Sequence, residues 1–338
     1  MTLNIAINGF GRIGRNVLRA LAEREAKDIN IVAINNVASL ETSLHLFKYD
    51  TVHGIFKGNI SSSNDEINIG FGPIKILSER NINNLDWNKQ NVDIVFECTG
   101  KFNDRENAIR HIEAGAKKVI ISAPGKNSDI TVVFGVNHKL IKEEHKIISC
   151  ASCTTNCLGP VLKILNDNIG IKNGFVTTIH SYTGDQSIVD RNHKDLFRAR
   201  AAGQNIIPTT TGSANSIGLI IPDLLGKLDG ISVRVPNSNV SLIDLTVNLV
   251  NETTVEEVNQ LFLEFSKKIE FKNILSTNDL PLVSSDFNHN IHSAIFDLNQ
   301  TKLINKKLLR TMAWYDNEWG FSNRMIDTAL YLSLTNID

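Results

Sequence analysis

The run Leu3–Asn8 ends in Gly9-Phe10-Gly11-Arg12-Ile13-Gly14, and this segment constrains the fold more than any other. A short apolar run reads as a buried strand. The residues after the glycines carry Val17, Leu18 and Leu21 on one helical face. A strand, a Gly-x-Gly-x-x-Gly turn and a helix form the first half of a dinucleotide-binding unit. The glycines allow a tight turn and close backbone approach, and the helix N-terminus faces a pyrophosphate. A glycine triplet alone would equally suit a plain turn. The strand before it and the helix after it separate the two readings.

A second strand over 29–34 completes the unit. Helices follow at 40–49 and 105–115, and strands at 92–97 and 118–121, with a turn-rich hairpin excursion near 59–69. This alternation predicts a doubly wound, mainly parallel sheet of the Rossmann type. The texture changes near 147–152. A helix over 153–168 carries Pro160, which predicts a kink. β-Branched strands then recur at 175–180, 231–235, 240–250, 294–297 and 309–314, with helices at 213–220 and 255–268. That is an α+β pattern with a mostly antiparallel sheet. The expected division is a dinucleotide domain over 1–151 and a catalytic domain over 152–316. A terminal helix over 317–338 is expected to pack back on the first domain.

The chain has 338 residues, with 35 Lys plus Arg against 36 Asp plus Glu, so the broad basic field that nucleic acid requires is missing. No apolar run approaches the ~20 residues that span a bilayer, and no signal-like segment precedes the first strand. A cytoplasmic enzyme is expected, with neither nucleic acid nor membrane as partner. Four cysteines in so long a chain are too few for a disulfide scaffold; clustered as they are, they point to catalysis or metal. A fourth zinc ligand at suitable spacing is missing, so no metal site is expected.

Ser152-Cys153-Thr154-Thr155-Asn156-Cys157 places Cys153 where an irregular segment becomes a helix. The positive end of the helix macrodipole favours thiolate there. A thiolate is a strong nucleophile and needs a base. His180, at the end of a strand in a hydroxyl-rich segment, is the candidate. Cys157, one turn further on, reads as a small apolar helix residue. The second strand of the dinucleotide unit ends at Asn35-Asn36, where an acid commonly binds the adenosine ribose. An amide at Asn36 does not repel a 2′-phosphate, which leaves NADP open beside NAD; equally, the amide could replace the acid with NAD still preferred.

Four segments, Ala6 to Arg15, Ala151 to Cys157, His180 to Asp185 and Trp314 to Gly320, together resemble the phosphorylating glyceraldehyde-3-phosphate dehydrogenase family, in its order and over nearly the whole chain. The resemblance implies Cys153 as acylated nucleophile and His180 as its base. It implies substrate-phosphate and inorganic-phosphate contacts at Ser152, Thr154, Thr183, Arg198, Thr211, Gly212 and Arg234. It implies cofactor contacts at Asn8, Gly9, Gly11, Arg12, Ile13, Gly14, Asn36, Arg80, Thr99, Ser122 and Asn317. It also implies a homotetramer, and a glycolytic or gluconeogenic reaction that turns glyceraldehyde 3-phosphate, NAD(P) and inorganic phosphate into 1,3-bisphosphoglycerate through a Cys153 thioester. The chain departs from the family pattern at Asn36, where Asp is usual, at Cys150, where Asn is usual, and at Phe321, where many members carry Tyr. Erythrose-4-phosphate dehydrogenase is the nearest alternative, and a non-catalytic RNA-touching protein is a more distant one.

Overall fold

The computed structural model describes residues 2–334, which divide into two compact units. Among the described residues the first unit holds 2–132, 138–151 and 322–334; the second holds 133–137 and 152–321. Two boundaries differ from the sequence expectation. The short segment 133–137 groups with the second unit, where Gly159 of the Cys153 helix abuts Val133. The last helix begins at Trp319 rather than at 317, and only from Ser322 onward does it group with the first unit. Its expected last residues, 335–338, lie outside the described residues.

In the first unit the described residues form a nine-stranded sheet, in the order 130–131, 147–149, 118–121, 94–97, 3–8, 29–35, 73–77, 66–68, 61–62. Every pairing from 130–131 through 73–77 is parallel, and the two outermost pairings at the other edge are antiparallel. The chain winds outward from Leu3–Asn8 in one direction and then restarts on its other side at Ile94–Glu97. Ile5, Ala6 and Ile7 are fully buried, as a strand covered on both faces requires. Asn8 pairs in register with Asn35 on one side and Glu97 on the other, so three polar side chains share the carboxyl edge at the point where the winding reverses. Ligands of open parallel sheets bind at such reversals.

The second unit is built on a sheet in the order 207–210, 228–235, 171–181, 241–249, 308–315, 294–297, 275–278, with 302–304 added beside 308–315. It is mostly antiparallel, but Ile171–Ser181 runs parallel to Leu228–Val235, and Leu275–Asn278 parallel to Ala294–Asp297. The helix Cys153–Asn168 runs without interruption through Pro160. Its Val161, Leu162, Ile164 and Leu165 are fully buried. Each contributes roughly 1.5–3 kcal/mol, which together outweighs the ~3 kcal/mol cost of an interior proline.

Candidate active site

Two arrangements stand out, one in each unit. In the first unit, Asn8, Gly9, Gly11, Asn36, Arg80 and Thr99 line one cleft of about 270 Å³, joined by Asn35, Glu79, Cys98, Lys101 and Phe102. The helix Arg12–Glu23 starts there, and its N-cap is Gly11, which has no side chain to offer the first-turn amides. A Cβ at Gly11 would meet nothing within 4 Å. Gly9 has φ +96°, and Gly14 lies so close to Gly9 that a Cβ would fall 2.2 Å from the Gly9 carbonyl oxygen. An open amide cradle at a helix start suits a pyrophosphate, so the residues present fit a dinucleotide.

The remaining cofactor candidates have identifiable partners. Asn36 Nδ2 donates to Ser43 Oγ at 2.9 Å. Arg12 forms a two-pronged ion pair with Asp50. Burial alone would raise the Asp50 carboxyl, but Arg12 and the amides of His53 and Val52 hold it down to about 2. Ser122 sits one strand away, its amide bonded to Glu97 O at 3.0 Å. Arg12, Ile13, Gly14 and Ser122 are not among the cleft's lining residues. Asn317 belongs to the second unit, where its Oδ1 accepts from Ser181 and Ser241 hydroxyls at 2.8 Å each.

In the second unit, Cys153 is the first residue of its helix, and Ser152 caps that helix by accepting from Thr155 N at 3.0 Å. The preceding Ala151 sits at φ +56°, a left-handed conformation that costs an alanine roughly 1–3 kcal/mol and marks a constrained turn. Cys153 Sγ lies 3.4 Å from His180 Nε2. His180 Nδ1 lies 2.7 Å from the Ser181 carbonyl, which can only accept. With its proton on Nδ1 the ring points the Nε2 lone pair at the sulfur, while Arg234 Nη1, which can only donate, lies 3.0 Å from the same Nδ1. Arg234 Nη1 donates to the same carbonyl at 2.9 Å, while its buried Nε has no partner among the described residues.

Burial pushes the His180 imidazole down to about 3, and the Arg234 and Arg198 cations add to the effect. Burial also pushes the Cys153 thiol up, against Arg234 and the Thr154 and Cys153 amides, which pull it down. The helix start therefore acts as expected, but desolvation outweighs it. Burial thus works against charge on both partners, the thiolate and the imidazolium. Such a pair can pass a proton from sulfur to nitrogen as the sulfur attacks a carbon.

The other anion-site candidates fall into linked groups. Ser152 Oγ contacts Ser213 Oγ at 3.0 Å, and Ser213 N donates to Thr211 Oγ1 at 3.2 Å beside the N-cap Gly212. Arg198 bonds Asp185 at 2.7 Å and Thr209 at 3.0 Å. Thr183 O accepts from Gln186 N in the intervening loop. Thr154 Oγ1 is 2.9 Å from Tyr315 Oη, which also reaches Thr178 Oγ1 at 2.8 Å. Tyr315, Thr178, Asp185 and Lys101 are not singled out by sequence. For Tyr315 a signal existed: it follows a buried alternating strand, where a polar ring needs an inward partner.

A nucleotide-binding sheet together with a thiol–imidazole pair at a helix start defines an NAD-dependent oxidoreductase. The comparisons narrow this further. Residues 3–105 match the NAD binding domain of glyceraldehyde 3-phosphate dehydrogenase, and residues 152–317 match its C-terminal domain. A Xanthobacter flavus glyceraldehyde-3-phosphate dehydrogenase is 53% identical over 330 residues, covering 98% of each chain. A Pseudomonas aeruginosa one is 52% identical over 334 residues, covering 98% of this chain and 99% of its own. A Geobacillus stearothermophilus one is 49% identical over 334 residues with the same coverage. The chain belongs to the glyceraldehyde-3-phosphate dehydrogenase family.

Proposed function

We propose that the protein oxidises glyceraldehyde 3-phosphate with NAD and inorganic phosphate to 1,3-bisphosphoglycerate, in glycolysis or gluconeogenesis. The observation that carries this reading is the 3.4 Å approach of Cys153 Sγ to His180 Nε2, with His180 Nδ1 held between the Ser181 carbonyl and Arg234. Cys153 Sγ bonds to the aldehyde carbon as its proton passes to His180 Nε2, giving a thiohemiacetal oxyanion. The Cys153 amide and the protonated His180 stabilise that oxygen. NAD held at the glycine turn by Gly9, Gly11 and Gly14 would supply the acceptor for the hydride that leaves this carbon. The resulting Cys153 thioester keeps the oxidation energy. A phosphate oxygen then bonds to the acyl carbon as the C–S bond breaks, releasing the acyl phosphate and restoring the thiol.

Arg234, with its buried unpartnered Nε, and Arg198 supply cation charge for the two phosphates, with Ser152, Thr154, Thr183, Thr211 and Gly212 as neutral donors. Asn8, Gly9, Gly11, Arg12, Ile13, Gly14, Asn36, Arg80, Thr99, Ser122 and Asn317 form the cofactor set. NADP is accepted beside NAD: Asn36 carries no charge, and exposed Arg80 and Lys101 line the same cleft. The protein works as a cytoplasmic homotetramer.

Steady-state rates with NAD and with NADP, with and without phosphate, test the reading on glyceraldehyde 3-phosphate and on erythrose 4-phosphate. Phosphate-dependent turnover favouring the triose supports it; preference for the tetrose establishes the alternative. Asn36→Asp should shift the ratio of kcat/KM toward NAD by about tenfold, the scale of one unfavourable charge contact; an unchanged ratio removes NADP acceptance through this position.

A further inference from the structure

The polar row at the carboxyl edge of the first sheet continues inward, away from the cleft. Asn35 Nδ2 donates to Asn8 Oδ1 at 2.7 Å, and Asn8 Nδ2 donates to Glu97 Oε2 at 2.6 Å. The same Glu97 oxygen is 3.1 Å from His111 Nε2. His111 Nδ1 is 3.0 Å from Trp87 Nε1, an atom that can only donate. His111 Nδ1 therefore accepts, and Nε2 carries the hydrogen toward Glu97. The other carboxylate oxygen, Oε1, takes the Thr99 amide at 2.7 Å and the Thr99 hydroxyl. Glu97, His111 and Trp87 are fully buried.

A carboxylate is costly to bury and persists where donors surround it. Here the donors fall into two sets. His111 and Trp87 face the core, where Trp87 packs with Val95, Ala108 and Val119. Asn8 and Thr99 line the cleft. Thr99 is also the residue that Gly9 touches: a Cβ at Gly9 would lie 2.7 Å from Thr99 N. A shift of the Thr99 backbone would therefore move the glycine turn.

We propose that Glu97, oriented by His111 and Trp87, is a positioning residue for the dinucleotide. It fixes Thr99 and Asn8 against the glycine turn, so the cleft is shaped before the ligand arrives and binding need not order it. This rests on the cleft being the dinucleotide site.

The test measures the NAD dissociation constant by calorimetry, with kcat, KM for NAD and Tm, on wild type, Glu97→Gln, His111→Leu, His111→Gln and Trp87→Phe. Glu97→Gln and His111→Leu should weaken NAD binding about tenfold, the scale of one lost orienting hydrogen bond. kcat at saturating NAD should fall far less than affinity. His111→Gln can still accept from Trp87 and donate to Glu97, and should recover most of the affinity. If Glu97→Gln does not fold, Trp87→Phe, which removes the one N–H and keeps an aromatic ring, should still weaken NAD binding by about threefold. Variants that bind NAD like wild type, whatever their Tm, overturn the proposal alone. So does an affinity loss that tracks Tm with no recovery in His111→Gln. Wild type that binds no NAD overturns the reading of the cleft itself.

Discussion

Replacing Gly11 by alanine separates what the glycine turn does for the fold from what it does for the ligand. Gly11 has φ −74° and ψ −155°, an extended conformation open to alanine. Nothing lies within 4 Å of the added methyl. Restricting the unfolded chain at such a position stabilises by ~0.4–1 kcal/mol, so Tm should hold or rise slightly. The dinucleotide sees the change differently. Backbone amides reach phosphate oxygens at about 2.9 Å, closer than a methyl carbon permits. Displacing the pyrophosphate from one amide costs about 1.5–3 kcal/mol, a roughly 10- to 150-fold weaker Kd. Isothermal titration with NAD, beside a thermal melt, reads both quantities. The contrast is internal: Gly14→Ala drives a Cβ to 2.2 Å from the Gly9 carbonyl, and Gly9→Ala forces an alanine to φ +96°. Both should lose stability and binding together. A Gly11→Ala protein with wild-type NAD affinity, or with a large fall in Tm, would refute the reasoning.

Two further perturbations probe the thiol unit. Tyr315→Phe removes a hydroxyl that bridges Thr154 and Thr178 in a site only 1% exposed, leaving two buried hydroxyls short of a partner. Thermal melts should register a loss of roughly 1–3 kcal/mol, with kcat reduced and NAD affinity unchanged; unchanged stability and kcat would count against the bridge. His180 is held down to about 3 by burial, below its unfolded value near 6.5. The unfolded chain therefore binds the extra proton between those values, and stability is fully present above about pH 6.5 and declines as pH falls. From pH 7.5 to 5.0 the loss from this group is roughly 2 kcal/mol. Half-buried His138, pushed down to about 4 by desolvation, adds to the same slope. Melts over this range should show a shallower decline in His180→Asn; an identical slope would mean that His180 is not buried as a neutral ring.

The elements with strong local signals were legible in the sequence. The glycine turn, the strand Lys118–Ile121, and the helices Cys153–Asn168 and Ser213–Ile220 lie where periodicity placed them. The short edge strands Ile130–Thr131 and Lys302–Ile304 are held by partners rather than by propensity, and carry too few residues to show a period. The two parallel pairings in the second sheet depend on long connections that alternation cannot report. At the site, residue types and spacing pointed to Cys153 and His180, and the helix dipole suggested a thiolate. Burial of the sulfur opposes that charge, and burial depends on what surrounds the sulfur in three dimensions. Glu97 was hidden for a related reason: it closes an apolar strand, and only the register of Asn8 against it shows what it orients.

Acylation of Cys153 is the step on which the chemistry turns. Protein mixed with glyceraldehyde 3-phosphate and NAD in phosphate-free buffer, quenched in acid and digested, should yield the peptide containing Ser152 to Cys157 heavier by one phosphoglyceroyl group on Cys153. Adding phosphate before the quench should remove it. A Cys153 that stays unmodified while NADH accumulates, or turnover that survives alkylation of Cys153, would contradict the account.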